Sequence, residues 1–257
     1  MGEVKLNMIK TTIRCLLLLL LYPAAYAQKA SFREIKLKPA KVAPKGAAII
    51  YPVIVTNNPH ADKLMNEKIK QQMLEPENEK QTVKELLAGQ IIDWGLSNFY
   101  YEVNYNKNNI LSLQIFSEGC GAYCSSTNTY FNFDLHTGSA ISIENLILKE
   151  KLDRFEDIVF KNKTDALQQY KKDKADELKQ GDIDSSIYDI MIEQVNNVCA
   201  ISVNFDNFSI SASGIEIIDD CEFMHAIRAM EPDYKLKYSY KFLSPFLQPS
   251  IKKKLLH

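Results

Sequence analysis

The sequence predicts an α+β protein in which antiparallel sheets pack against helices. Three observations carry this. Between 97 and 143, short aromatic and β-branched runs are separated by turn residues, the pattern of a meander. Between 146 and 178, apolar residues recur at helical spacing instead, and the final third returns to strand-like runs. Strand runs and helix runs that are segregated along a chain place it in the α+β class.

Residues 28–46 are basic and carry Pro39 and Pro44, with Phe32, Ile35 and Leu37 forming a first short strand. Residues 47–56 are apolar and β-branched, but Pro52 lacks an amide donor, which suits an edge or bulged strand. Asn58 then offers an acceptor at an N-cap and Pro59 a fixed φ at N1, with Ala61, Leu64, Met65, Ile69 and Met73 on one helical face. Residues 80–88 form a weaker helix ending at Gly89. Strands follow at 99–105 and 110–116 around Asn106-Lys107-Asn108-Asn109, then at 129–135 and 140–143 around His136-Thr137-Gly138. Phe131, Phe133 and Leu135 alternate with Asn132 and Asp134, the mark of a sheet with one buried face. Leu152, Phe155, Ile158 and Val159 stripe a long helix that ends Lys-rich before Gly181, and Ile187, Ile190, Met191 and Val195 extend the helical region. Strands at 204–212, 215–218 and 234–242 complete the chain, with Ser213-Gly214 as a two-residue turn.

Residues 1–27 read as an export signal. Lys10 and Arg14 precede a short apolar run at 16–21, and Ala25-Tyr26-Ala27 gives an A-x-A cleavage pattern before Gln28. The run is too short to span a bilayer, so removal on export is expected, with no membrane span in the mature protein and a periplasmic or extracellular location. Cys15 precedes the apolar run, which argues against a lipoprotein. The mature chain keeps Cys120, Cys124, Cys199 and Cys221, an even number that reads as a disulfide framework in an exported protein. Of three possible pairings, Cys120–Cys124 with Cys199–Cys221 closes the shortest loops, worth roughly 2 and roughly 3 kcal/mol by chain entropy. An extended chain would hold Cys120 and Cys124 roughly 13 Å apart, so their bridge requires a tight loop, expected to feed a β-hairpin. Without Lys5, Lys10, Arg14 and Glu3, 28 basic residues face 31 acidic ones, which gives no electrostatic case for nucleic acid.

No G-x-S-x-G, H-E-x-x-H, Walker loop or G-x-G-x-x-G occurs, so no catalytic residue is assigned. Asp182, Asp184 and Ser186 have part of a calcium-loop spacing but lack its glycine and distal glutamate. No cofactor or metal is expected, because the cysteines lack paired C-x-x-C spacing and His60, His136, His225 and His257 do not cluster. Asp219 and Asp220, beside Glu222, are carboxylates of the kind glycoside hydrolysis needs. Neighbours on a strand point to opposite faces, which argues against a cooperating pair. Trp94, among Ile91, Ile92 and Leu96, is expected in the core, with stacking on a sugar as the functional alternative. Tyr123 stands inside the predicted disulfide loop, where a rigid aromatic serves as a binding anchor or folds down onto the sheet.

Several pieces in order resemble a known family. They are the strand at 48–55 with the following helix, the strand at 110–116, the Gly119 to Tyr123 turn, and Tyr130-Phe131-Asn132-Phe133-Asp134-Leu135-His136-Thr137-Gly138 with its D-L-x-T-G turn. The helix start at 142–146 and the closing segments 208–214 and 238–247 follow. Together they resemble the exported domain family of unknown function found in the extracellular part of the anti-sigma factor RsiV and beside the catalytic domain of the peptidoglycan deacetylase PdaC. One departure is that Tyr123 stands where the family often carries histidine, so no role of that histidine transfers. The resemblance implies two related α+β subdomains in one compact unit, at 47–143 and 144–248, flanked by an N-terminal segment 28–46 and a tail 249–257. It also implies a non-catalytic role at the cell envelope, and the RsiV domain binds lysozyme. The first expectation is therefore a binding module for lysozyme, another envelope protein or peptidoglycan, acting through the face that bears Tyr123. The alternatives are an envelope hydrolase using acidic residues such as Asp219 or Glu118, and a structural or assembly subunit.

Overall fold

The computed structural model describes residues 28–39, 41, 43, 46–78, 80–121 and 123–256. The segment 1–27, read as an export signal, and His257 lie outside the described residues. The fold is α+β, with one five-stranded and one three-stranded sheet among those residues.

The larger sheet holds β1 (Ser31–Leu37), β2 (Ile49–Val55), β3 (Leu96–Lys107), β4 (Ile110–Cys120) and β5 (Cys124–Asp134), side by side in chain order. Neighbours are antiparallel except β2 and β3, which run parallel and pair only at Ile49 with Phe99. A parallel step needs a crossover. It is supplied by α1 (Pro59–Leu74) and α2 (Val83–Asp93), whose Ala61, Met65, Ile69 and Leu87 cover Tyr51, Phe99, Leu113, Phe131 and Phe133.

Pro52 is tolerated inside β2 for a specific reason. Ile54 on the same hydrogen-bonding side turns away from β1, and its N–H donates to Asn66 Oδ1 of α1 at 2.8 Å while Asn66 Nδ2 returns a bond to its carbonyl. Beyond Ile49, β2 therefore has no ladder on that side for a missing amide to break. The strand is edge-like on one flank only.

The α1 start follows the sequence, with Asn58 Oδ1 accepting from the amides of His60 and Ala61. Leu64, expected on the buried face, is exposed, and Leu74 is buried at the end of that face. The second helix departs further. It begins at a capping box in which Thr82 and Glu85 exchange bonds, and it runs through Gly89 to Asp93 because nothing after Gly89 breaks the helical ladder. The β3–β4 hairpin turns on Asn108 and Asn109, both with left-handed φ (56° and 63°), the geometry of a type I′ turn.

The D-L-x-T-G turn is a structural device. Asp134 Oδ1 accepts from the amides of His136 and Thr137, Asn58 Nδ2 of the α1 cap donates to the His136 carbonyl, and Lys254 pairs with Asp134 Oδ2. Gly138 has φ 77°, and a Cβ there would lie 2.7 Å from the Ala61 backbone. The strand expected at 140–143 is reduced to one bridge, Phe133 with Ala140, because Ser142 caps a helix beginning at the next residue.

That short helix is α3 (Ile143–Leu146), followed by α4 (Leu152–Gln180), closed by Gly181 in the left-handed region, and α5 (Ser185–Gln194), which passes into a π-helical turn at Val195–Cys199. Asp184 is the N-cap of α5, accepting from Ser186 N, which accounts for the partial calcium-like spacing. The smaller sheet is an antiparallel meander of β6 (Phe208–Ile210), β7 (Gly214–Ile217) and β8 (Leu236–Ser239). Its strands are shorter than expected, since Ser239 caps α6 (Tyr240–Leu243) inside the segment that reads as one strand. Residues beyond it form α7 (Pro249–Leu255), which buries Ile251 and Leu255 in the second core with Phe155, Val159, Phe208 and Tyr238.

Three polar residues on the second face of the large sheet hold β6 against it. Asn104 Nδ2 donates to Ser209 Oγ, Ser112 Oγ accepts from Ile210 N, and Asn132 Nδ2 donates to the Phe208 carbonyl at 2.7 Å. Ser112, Asn132 and Ser209 are buried, so each bond replaces a lost water contact.

Candidate functional site

Both bridges of the shortest-loop pairing are present, Cys120–Cys124 and Cys199–Cys221. The first does not precede a hairpin; it closes one. Cys120 and Cys124 are directly opposed across β4 and β5, with Cα atoms 4.0 Å apart, and Gly121 and Tyr123 belong to the tip.

The tip is fixed to the end of α2. Trp94 is the C-cap residue and its amide donates to the Gln90 carbonyl. Gly95 follows with φ 62°, at a point where a Cβ would stand 2.2 Å from the Cys120 carbonyl oxygen, and its own carbonyl accepts from Cys120 N at 3.0 Å. Buried Ser97 donates to the Glu118 carbonyl at 3.0 Å and contacts Glu118 Oε2 and Cys120 Sγ. These contacts leave no room for a side chain at Gly95 and hold the disulfide against the turn between α2 and β3 that carries Trp94.

Trp94 is 77% exposed, against the expectation that it packs in the core, and Ile92 and Tyr123 are 81% and 73% exposed. The reason lies in the helix end. Leu87 and Leu96 take the buried positions and Ile91 is partly covered, so the α2 C-terminus turns Ile92 and Trp94 outward. Ile92, Trp94 and Tyr123 line one groove of about 1090 Å³, with the Cys120 and Gly121 backbone in its wall. Glu75, Glu77, Glu85 and Asp93 also line it, with no lysine or arginine among its described lining residues. The Thr82 amide and hydroxyl hold the exposed Glu85 carboxyl below the ordinary carboxylate range. The result is an aromatic floor with an anionic rim. Sequence reasoning missed Ile92 and the acidic rim; the signal was Trp-Gly directly after a helix, where an αL glycine commonly ends the helix.

The fold is similar to that of two solved structures of DUF3298 family members. One is a crystal structure from Bacteroides fragilis, at TM-score 0.54 and 14% identity, covering 89% of this chain and 97% of that one. The other, from Pseudomonas aeruginosa, gives TM-score 0.52 and 10% identity, with 87% and 96% covered. At these identities the DUF3298 likeness is one of fold. No family model and no curated protein matches the sequence.

The remaining candidates are dispersed. Asp219 is an internal ion: its carboxylate pairs with Lys163 Nζ at 2.7 Å, both side chains almost wholly buried, and accepts from Tyr234 Oη and Asn204 N. Lys163 also donates to the Ser202 carbonyl. Burial, then the Asp219 charge, pushes the Tyr234 hydroxyl far up. Asp220, beyond the end of β7 like Asp219, instead lines a cleft with Glu222 and Glu231. Burial, then repulsion from Glu231, Asp219 and Glu222, raises its carboxyl. Glu118 is engaged by Ser97, and His60 and His136 are exposed. His225 opens a 3₁₀ segment, His225–Met230. Among the described residues no three His, Cys, Asp or Glu side chains are grouped to hold a metal, and no helix is long and apolar enough to cross a membrane.

Proposed function

We propose that this protein is an exported, non-catalytic binding module of the bacterial cell envelope that holds its ligand in the groove of Ile92, Trp94 and Tyr123. The observation that carries the reading is the outward display of Ile92 and Trp94 at the end of α2 beside Tyr123 on a tip closed by a disulfide. Large apolar side chains exposed together on a rigid support lose little entropy on binding and are typical anchors. Export rests on the signal-like segment 1–27 and on two disulfides, which persist in oxidising compartments.

Two ligands suit the groove. A cell-wall glycan would stack its sugar faces on Trp94 and Tyr123. A basic protein such as lysozyme would present lysines or arginines to the Glu75, Glu77, Glu85 and Asp93 rim, and this choice draws on the resemblance to the RsiV domain. Titration of the oxidised protein with lysozyme and, separately, with soluble peptidoglycan fragments distinguishes them, read by the heat of binding in isothermal calorimetry. Trp94→Ala and Tyr123→Ala should each weaken the productive titration about tenfold or more. Wild-type protein that binds neither ligand at low and moderate salt refutes the proposal.

A second reading, acidic hydrolysis of an envelope polysaccharide, draws support from the raised Asp220 carboxyl in a cleft with Glu222 and Glu231. It requires turnover of muropeptides that Asp220→Asn abolishes.

A further inference from the structure

We propose that the open edge of β5 from Ser126 to Tyr130 is a strand-addition site for an extended peptide segment bearing lysine or arginine at alternate positions. This goes beyond the aromatic groove: it uses a different surface and a different mode of recognition.

The direction of the edge follows from its covered end. Asn132 O accepts from Ile141 N at 2.7 Å and Asp134 N donates to Ser139 O at 3.0 Å, so even-numbered residues of β5 aim their backbone groups away from β4. By the period of two, the N–H and C=O groups of Ser126, Asn128 and Tyr130 aim the same way. Among the described residues no backbone partner occupies those positions. Natural edges are usually blunted by proline, charge or a bulge. Here Ser125-Ser126-Thr127-Asn128-Thr129 contains neither proline nor charge, and the β4–β5 register runs without a shift from Ile110 and Asp134 to Cys120 and Cys124. The disulfide at the end of that ladder holds the edge in strand geometry before any partner arrives.

The edge borders a cleft of about 520 Å³, and the opposite wall selects the occupant. Asp206, Asp220, Glu222 and Glu231 line it with Arg228 as the one described cation. An extended segment hydrogen-bonded to β5 turns every second side chain toward one face, so alternate lysines or arginines meet these carboxylates. A second observation lies at the closed end. Asn132 Oδ1 is buried without a hydrogen-bond partner, in a neighbouring cavity of about 390 Å³ that shares Gln72 and Asp206 with the cleft. An unpaired buried acceptor is costly, and it is satisfied by an N–H or ammonium donor entering from the peptide.

The probe is a fluorescein-labelled peptide of about ten residues alternating lysine and valine, long enough to cover the edge, with anisotropy as the readout. Saturable binding to the oxidised protein is expected. Alternate N-methylation, tested in both registers, should weaken it about tenfold or more in one register, because it removes the amides that face β5 and leaves charge intact. Asn128→Pro should do the same from the protein side, and Asp220→Asn with Glu222→Gln should weaken binding and flatten its salt dependence. The N-methylated peptides leave the protein untouched, so the test stands if Asn128→Pro misfolds. Absence of saturable binding overturns the proposal. So does binding indifferent to N-methylation in either register, which is adsorption by charge alone. Self-association through this edge that the peptide does not displace assigns the surface to a second copy and also overturns it.

Discussion

Breaking the internal ion pair between Lys163 and Asp219 tests the reading that Asp219 is structural. Their side chains are 4% and 6% exposed, the N–O distance is 2.7 Å, and Tyr234, Asn204 and the Ser202 carbonyl complete the network. Asp219→Asn keeps the volume but leaves an ammonium with no counter-charge in the core, and Lys163→Met leaves an isolated carboxylate. Loss of one partner of a buried pair costs about 3–5 kcal/mol. A ceiling follows from the alternative of discharging the survivor, since neutralising an ordinary lysine or aspartate at pH 7 costs about 4–5 kcal/mol. Each single variant should therefore lose about 3–4 kcal/mol in urea unfolding followed by far-ultraviolet circular dichroism, with an unchanged m value. The double variant should lose much less than the sum, giving a coupling of at least about 2 kcal/mol. Single losses below about 1 kcal/mol, or additive singles, refute the argument.

Three further outcomes follow from the same geometry. Gly138→Ala combines a positive φ with a Cβ 2.7 Å from the Ala61 backbone, so it should cost more than about 2 kcal/mol and lower Tm by several degrees in calorimetry. Trp94→Ala should leave stability within about 0.5 kcal/mol of wild type, and wild-type tryptophan emission should be red-shifted and readily quenched by acrylamide; a blue-shifted, protected emission contradicts the outward tryptophan. Burial alone would lift the Asp134 carboxyl, but bonds from Lys254, His136 N and Thr137 N outweigh it and hold it below the ordinary carboxylate range. Its contribution is thus complete above about pH 4 and lost as pH falls through the depressed value, and Asp134→Asn should flatten the fall in stability below about pH 4.

Local chemistry was legible where a few neighbouring residues decide the outcome. The Asn58-Pro59 helix start, the two asparagines of the type I′ turn and the alternation through Phe131 and Phe133 each act within a few positions of themselves. The stretch at 140–143 and the segment 234–242 were misread because a serine cap at Ser142 or Ser239 outweighs β propensity there. Trp94 was misread because its neighbours are apolar, whereas its direction depends on where α2 ends and on Gly95 lying against Cys120.

By itself the sequence determined the α+β class and the helix caps and turns, whose energies are local, and it ranked first the cysteine pairing found in the structure. Only the tertiary structure decided which of the chemically promising residues share a surface. Trp94 and Tyr123 are brought to one groove by the contact of Gly95 with the disulfide strand, and Asp219 and Asp220, adjacent in sequence, are sent to the core and to a cleft. Those placements depend on packing between segments tens of residues apart, where side-chain direction is set by the partner surface rather than by the local chain.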